Sequence, residues 1–461
     1  MAAMSELHPW NPEDRGFWVR SGRAVATRNL ILSIPALTLA FAVWMLWSVV
    51  VEHLPAVGFS YSTNQLFWLA ALPALSGATL RIFYAFAVPM VGGRRFTALA
   101  TASLLLPALG IGLAVRDPGT SYEWMVVLSL LCGLGGANFA SSMAHISFFF
   151  PTACRGQALG LNAGLAHLGV AMVQLVVPLV IGIGAFGALV GAPQATAQGP
   201  ICLQNAGFIW VPFIVASAAA AWFGMDDLTD AKAGFSEQAV IFMRKHNWLL
   251  CWLCLGSFGS FIGFSAGLPM LVHSQFPHDD LPHLLWLGPL TGALLRPVGS
   301  WLADRHGAGR ITFWSFVVMA LGVVAVLQCL PHQGSMGLQG GSLPGFLSAF
   351  GVLFAASGMG HGSTFRMVPT IFQTERQRAA EPLPRAQARA AKEGQVEAAA
   401  VLGLASAIGA YGGFFIPKSY GTAIAMTGSP AAALQVFLFF YFTCIALTWW
   451  HYSRRHAPMP C

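Results

Sequence analysis

The chain has 461 residues, 56% of them hydrophobic and only 9% charged, with a formal net charge of +7. Soluble domains carry about 25% charged residues, so an ordinary soluble enzyme is excluded, and the basic residues are too scattered for a nucleic-acid surface. Eight cysteines lie mostly in apolar runs, and Cys251-Trp-Leu-Cys254 has no second pair or nearby His, so no metal, redox pair or other cofactor is expected.

Residues 1–28 mix Glu6, Glu13 and Asp14 with Arg15, Arg20, Arg23 and Arg28 and lack the short apolar core of a cleavable signal. They read as a cytoplasmic segment leading into the first span. Twelve apolar runs follow, at about 29–51, 64–91, 96–115, 123–150, 157–190, 206–224, 248–272, 284–303, 311–330, 344–373, 398–424 and 431–451. Each is long enough to cross a ~30 Å hydrocarbon core as a helix. The fifth is long for one span, and residues 182–190 read as its extracytoplasmic extension. A polar connector, 225–247, divides the runs into two six-helix bundles, 29–224 and 248–451. A second insert, 374–397, has too few large apolar residues to fold alone and reads as a solvated, partly helical loop; 452–461 is a tail. Of the 24 Lys and Arg residues, 19 fall in the termini and alternate loops on one side. The positive-inside rule then predicts a multi-pass protein with both termini cytoplasmic.

The two halves repeat. Ser76-Gly-Ala-Thr-Leu-Arg81 in span two matches Thr291-Gly-Ala-Leu-Leu-Arg296 in span eight at an offset of 215, which also pairs Gly92 with Gly307 and Arg95 with Arg310. Arg81 lies eleven residues before Gly92, and Arg296 eight before Asp304, or roughly 16 and 12 Å of helix, too deep for easy snorkelling. All 17 Asp and Glu residues fall in loops or at span ends, so no mid-membrane carboxylate is available to neutralise either arginine. A buried membrane cation usually marks a substrate or ion path. A pair of planar forks suits a small planar oxyanion. Arg366, about seven residues from the end of span ten, is nearer water and suits snorkelling or gating.

Spans five and eleven are glycine-rich. Gly160-Leu-Asn-Ala-Gly164-Leu-Ala-His167-Leu-Gly169 corresponds to Gly403-Leu-Ala-Ser406-Ala-Ile-Gly409-Ala-Tyr411-Gly412 at an offset of 243. Gly156, Gly160 and Gly164 line one helical face, which allows close packing or sliding of helices. Between spans eight and nine, Gly299-Ser-Trp-Leu-Ala-Asp304-Arg305-His-Gly307-Ala-Gly309-Arg310 resembles the loop motif of the major facilitator superfamily. The first-half counterpart, Gly92-Gly-Arg-Arg95, keeps the turn and loses the Asp-Arg.

Across nearly its whole length the chain resembles the NarK-type nitrate/nitrite porter family of that superfamily. The resemblance is carried by Phe41-Ala-Val-Trp44-Met-Leu-Trp47, Gly77-Ala-Thr-Leu-Arg81, Gly136-Ala-Asn-Phe139, Ser147-Phe-Phe-Phe-Pro151, Phe258-Gly-Ser-Phe-Ile-Gly-Phe264 and the two glycine signatures. It implies an all-α fold of twelve transmembrane helices in a 6+6 pseudo-twofold arrangement. It also implies that Arg81 and Arg296 hold the anion while Phe139 and Phe258 sandwich its plane. The spacing makes Gly160, Gly164, Gly169, Gly403, Gly409 and Gly412 candidates for tight packing or for gating and helix sliding, with Cys254, Ser406 and Arg366 as further site candidates. Two residues depart from the family pattern: His167 replaces an Asn, and Cys254 replaces an expected Tyr.

The function expected is a transporter, not an enzyme, exchanging external nitrate for cytoplasmic nitrite in a bacterial inner membrane. It would act as a monomer feeding a nitrate reductase in nitrate assimilation, with a neutral His167 donating a hydrogen bond in place of the family's Asn. The alternative is proton-coupled nitrate symport through His167. A remote third reading, an intramembrane haem held by His145, His167 or His361, suffers from the lack of paired histidines.

Overall fold

The computed structural model describes residues 6–7, 10–184, 191–197, 199–228, 242–277, 284–334, 337–380 and 384–461. The end of the span-five extension beyond Gly184, the connector from 229 to 241 and the insert's 381–383 lie outside the described residues, as do the side chains of Arg385, Arg389 and Lys392.

Eleven described helices are long and apolar enough to cross a membrane, and they correspond to spans one to seven and nine to twelve. Span eight is also a helix, Leu287–His306. Its own contents, Arg296, Asp304, Arg305 and two prolines, lower its apolarity. Span two is Thr63–Val91, span four Tyr122–Phe149, span five Thr152–Ile181, span seven Lys245–Gln275 and span nine Ala308–Cys329. Span ten, Leu343–Ala380, overruns its apolar core, and the helix Pro384–Ala410 leads into span eleven. The second insert is therefore mostly the adjoining ends of two helices.

Four spans are broken, two of them beside a proline. Span three divides into Gly93–Ala102 and Leu105–Ala114. Pro107 has no N–H for the carbonyl one turn back, so the ladder fails across Ser103 and Leu104. Span six restarts at Val211–Gly224, where Pro212 sits in the first turn and needs no donor. Span one divides into Arg23–Trp44 and Trp47–His53, and span eleven resumes after Tyr411 as Gly412–Thr427. Span twelve is Ala431–Thr448. Short antiparallel ribbons, Gln194–Thr196 with Gly199–Ile201 and His332–Gly334 with Gly337–Gln339, lie before spans six and ten.

The chain divides into two compact units, Met1–Ala233 and Gly234–Cys461. In the first, span two packs chiefly on span four, and span one on spans five and four; in the second, span eight packs on span ten and span seven on span eleven. The repeat also reaches backbone detail. Gly92 and Gly307, equivalent in sequence, have φ of +91° and +92°, a conformation that favours glycine. Each opens the next helix, and each helix start receives an acceptor from beyond the last span of its own unit. Arg94 N–H donates to Asp227 Oδ1 at 2.8 Å, and Gly309 N–H to the main-chain oxygen of Cys461 at 2.9 Å. These bonds satisfy helix-start donors that would otherwise have no partner. Asp226 meanwhile accepts from Arg28 at 2.5 Å and Asn29 at 2.8 Å, tying the end of span six to span one. Near the N-terminus, the Thr152 hydroxyl and N–H both donate to Glu13, at 2.7 and 2.8 Å, and these bonds hold its carboxyl below the ordinary range.

Candidate functional site

Arg81 is placed by close packing between spans two and four. A Cβ on Gly133 would stand 2.5 Å from the Gly77 nitrogen, and one on Gly136 would stand 2.5 Å from the Trp44 ring. Only residues without a side chain allow this approach, which in lipid must be sustained by packing rather than by water exclusion. It brings the Gly136 carbonyl to the guanidinium, which donates from Nε at 3.0 Å and Nη2 at 2.6 Å. The cation also lies over two rings, with Cζ 4.9 Å from the Phe139 centroid and 5.3 Å from that of Trp44. Trp44 is in turn fixed by donating its indole N–H to Pro73 O at 2.8 Å. Arg81 is 0% exposed. A carbonyl and two ring faces orient its charge.

His167 joins this cluster. It is buried and packs on Phe41 at 4.8 Å and Phe139 at 6.2 Å between centroids. Its Nδ1 donates to Ala163 O, one turn back in span five. Because the carbonyl can only accept, Nδ1 carries the hydrogen. A neutral ring then has an acceptor at Nε2, and only the imidazolium can donate there.

In the second unit Arg296 is 8% exposed, with Cζ 5.2 Å from the centroid of Phe365. Spans eight and ten meet as spans two and four do: a Cβ on Gly358 would come within 2.2 Å of Gly292 O. Phe258 is buried and stacks on His361 at 4.6 Å and 29°, and His361 meets Phe365 edge-on at 4.5 Å. Cys254, fully buried, faces Gly409, where an added Cβ would stand 3.0 Å from its sulfur. Ser406 is also buried and turns its hydroxyl to Gly403 O at 2.8 Å.

The predicted residues thus group within their own units: Arg81, Phe139 and His167 in one, Phe258, Cys254 and Gly409 in the other. Arg366 belongs elsewhere. Its guanidinium pairs with Asp304 of the loop motif, Nε to Oδ1 at 2.7 Å, rather than snorkelling alone. The glycines divide as well. Added Cβ atoms would meet Thr38 O at 2.1 Å from Gly169 and Gly259 Cα at 2.3 Å from Gly412, whereas at Gly160 and Gly403 they would meet nothing within 4 Å. Sequence reasoning missed Phe365 as a partner of Arg296. Its signal is a ring seven residues after Gly358, where Phe139 lies six after Gly133. Among the described residues no group of three or more His, Cys, Asp or Glu could hold a metal ion.

The family model described as Major Facilitator Superfamily matches residues 32–380. The chain is 46% identical over 451 residues to the nitrate/nitrite transporter NarU of Escherichia coli, covering 97% of this chain and 96% of that one. It is 37% identical over 462 residues to the probable nitrate/nitrite antiporter NarK2 of Thermus thermophilus, covering 98% and 97%. Among solved structures it resembles a bacterial homolog of the human lysosomal transporter Spinster, with TM-score 0.62 and 14% identity over 92% of this chain and 96% of that one. The Escherichia coli xylose transporter XylE gives the same TM-score, 0.62, at 14% identity and the same coverage, 92% and 96%. At that identity the structural likeness speaks for the fold alone.

Proposed function

Since the chain belongs to the NarK-type nitrate/nitrite porters of the major facilitator superfamily, a family of multi-pass membrane transporters, we propose that it exchanges external nitrate for cytoplasmic nitrite by alternating access. It does so in a bacterial inner membrane with both termini cytoplasmic, its two bundles related by a pseudo-twofold axis. One anion is held by Arg81 from the first unit and Arg296 from the second, with Phe139 and Phe258 on the faces of its plane. The observation that carries this reading is a buried arginine at the same repeat position in each unit, its guanidinium laid over an aromatic ring.

Exchange follows from the charges. Two guanidinium groups close enough to share one small anion would repel by on the order of 2 kcal/mol at an effective dielectric of ~20. Closing an empty site adds desolvation. A bound monoanion offsets both terms, so loaded protein changes face readily and empty protein does not. The test is nitrate uptake by proteoliposomes with and without internal nitrite, with pH and voltage clamped. Uptake should require internal nitrite or nitrate; equally rapid uptake into anion-free vesicles would end the exchange reading.

A second reading has one specific observation in its favour. With Nδ1 committed to Ala163 O, His167 can donate to an anion only when protonated, which would couple a proton to nitrate entry. Under this reading an inward proton gradient drives net uptake into anion-free vesicles, and His167→Asn abolishes that component. Under exchange, His167→Asn supplies a donor without a proton and leaves counterflow flat between pH 6 and 8.

A further inference from the structure

We infer that Phe365 is the positioning residue for Arg296 and the true second-half counterpart of Phe139. The inference rests on the anion-exchange reading and extends its site. The aromatic pair read from sequence, Phe139 and Phe258, takes one ring from span four and the other from span seven. Those spans are not equivalents in a 6+6 repeat; span four corresponds to span ten, and span seven to span one. The geometry within each unit follows the repeat. Arg81 lies 4.9 Å over Phe139 of span four, and Arg296 lies 5.2 Å over Phe365 of span ten. Phe258 of span seven instead stacks on a histidine, His361 of span ten, at 4.6 Å. The two arginine–ring pairs also share a reference point. Gly77–Gly133 and Gly292–Gly358 are the contacts where spans two and four, and eight and ten, come backbone to backbone. The ring follows the second glycine of each contact by six or seven residues.

Phe365 supplies a flat face on which a planar cation rests. His361 meets that ring edge-on at 4.5 Å and is itself stacked on Phe258, so the plate under the guanidinium is buttressed from span seven. A long arginine side chain loses rotamer freedom when it grips a ligand. Fixing it beforehand lowers that cost and appears as affinity. The ligand class is a planar or near-planar monovalent oxyanion.

The test uses purified full-length protein and reads anion-dependent thermal stabilisation with nitrate, nitrite, formate and chloride, alongside nitrate/nitrite counterflow. Phe365→Leu should raise the apparent Kd and the KM for nitrate about 5- to 30-fold, with Vmax largely kept. Phe365→Tyr, which keeps the ring face, should restore both to within about twofold of wild type. In an Arg296→Lys background Phe365→Leu should add little. If Phe365→Leu does not fold, Phe365→Met provides the same ring-free comparison. A wild-type KM in the ring-free variant, a tyrosine variant as impaired as the leucine one, or an undiminished effect on top of Arg296→Lys would each overturn the assignment. If wild-type protein ignores nitrate and nitrite but is stabilised by formate or chloride, the exchange reading fails while Phe365 is judged with that anion. If no anion stabilises it, both fail.

Discussion

Arg81 and Arg296 hold equivalent places in the repeat and are built differently. Arg81 is sealed: no exposure, two hydrogen bonds to one carbonyl, and rings from two spans. Arg296 retains slight exposure over Phe365, which is itself only half-buried. The difference begins in the glycines. Gly136 lets Trp44 close over span four, so the first unit encloses its arginine between helices. At the corresponding depth span ten carries His361, and the second unit builds a ladder of rings instead. An internal repeat therefore keeps where a charge is placed while the rings packed against it differ.

The largest test of that contrast is lysine at each position. Lysine keeps the charge and loses the planar fork. Arg81→Lys also gives up the paired hydrogen bonds to Gly136 O, so counterflow should fall by about 100-fold or more and the melting midpoint should drop. Arg296→Lys should reduce counterflow by roughly 10- to 100-fold, because the charge stays and the fork is lost. Full activity in either variant would remove that residue from the anion site.

A smaller effect is expected from glycine replacement. Gly136→Ala drives a methyl into Trp44 and should destabilise the first unit by about 1–3 kcal/mol, seen as a lower thermal midpoint and slower exchange. Gly160→Ala places its methyl in open space within the described structure and should leave the midpoint unchanged. A destabilised Gly160→Ala would show that this glycine makes a tight contact in a state the structure does not represent.

Smallest is the comparison of the two loop carboxylates. Asp227→Asn weakens a buried helix-start acceptor that also pairs with Arg94 at 3.4 Å, and a loss of about 1 kcal/mol is expected. Asp304→Asn breaks an ion pair whose partners are about half exposed, 46% for Arg366 and 51% for Asp304, and should cost under about 1 kcal/mol. Chemical denaturation of both variants, with Arg94→Ala as reference, would reverse this ranking if the exposed pair is the stronger.

Sequence alone determined the class, the spans, the repeat and the two arginines. Each rests on a property that acts locally: an apolar run must be helical in lipid because no water satisfies its backbone, and a buried cation is costly enough to mark a function wherever it stands. Span eight shows the same logic in reverse, since the residues that give it a role are those that lower its apolarity. What only the tertiary structure decided is which groups meet. No spacing rule could assign the Gly136 carbonyl to Arg81, Phe365 to Arg296, Asp304 to Arg366 or Asp227 to the helix that starts at Gly93. Each contact joins segments far apart in the chain and depends on how the helices pack.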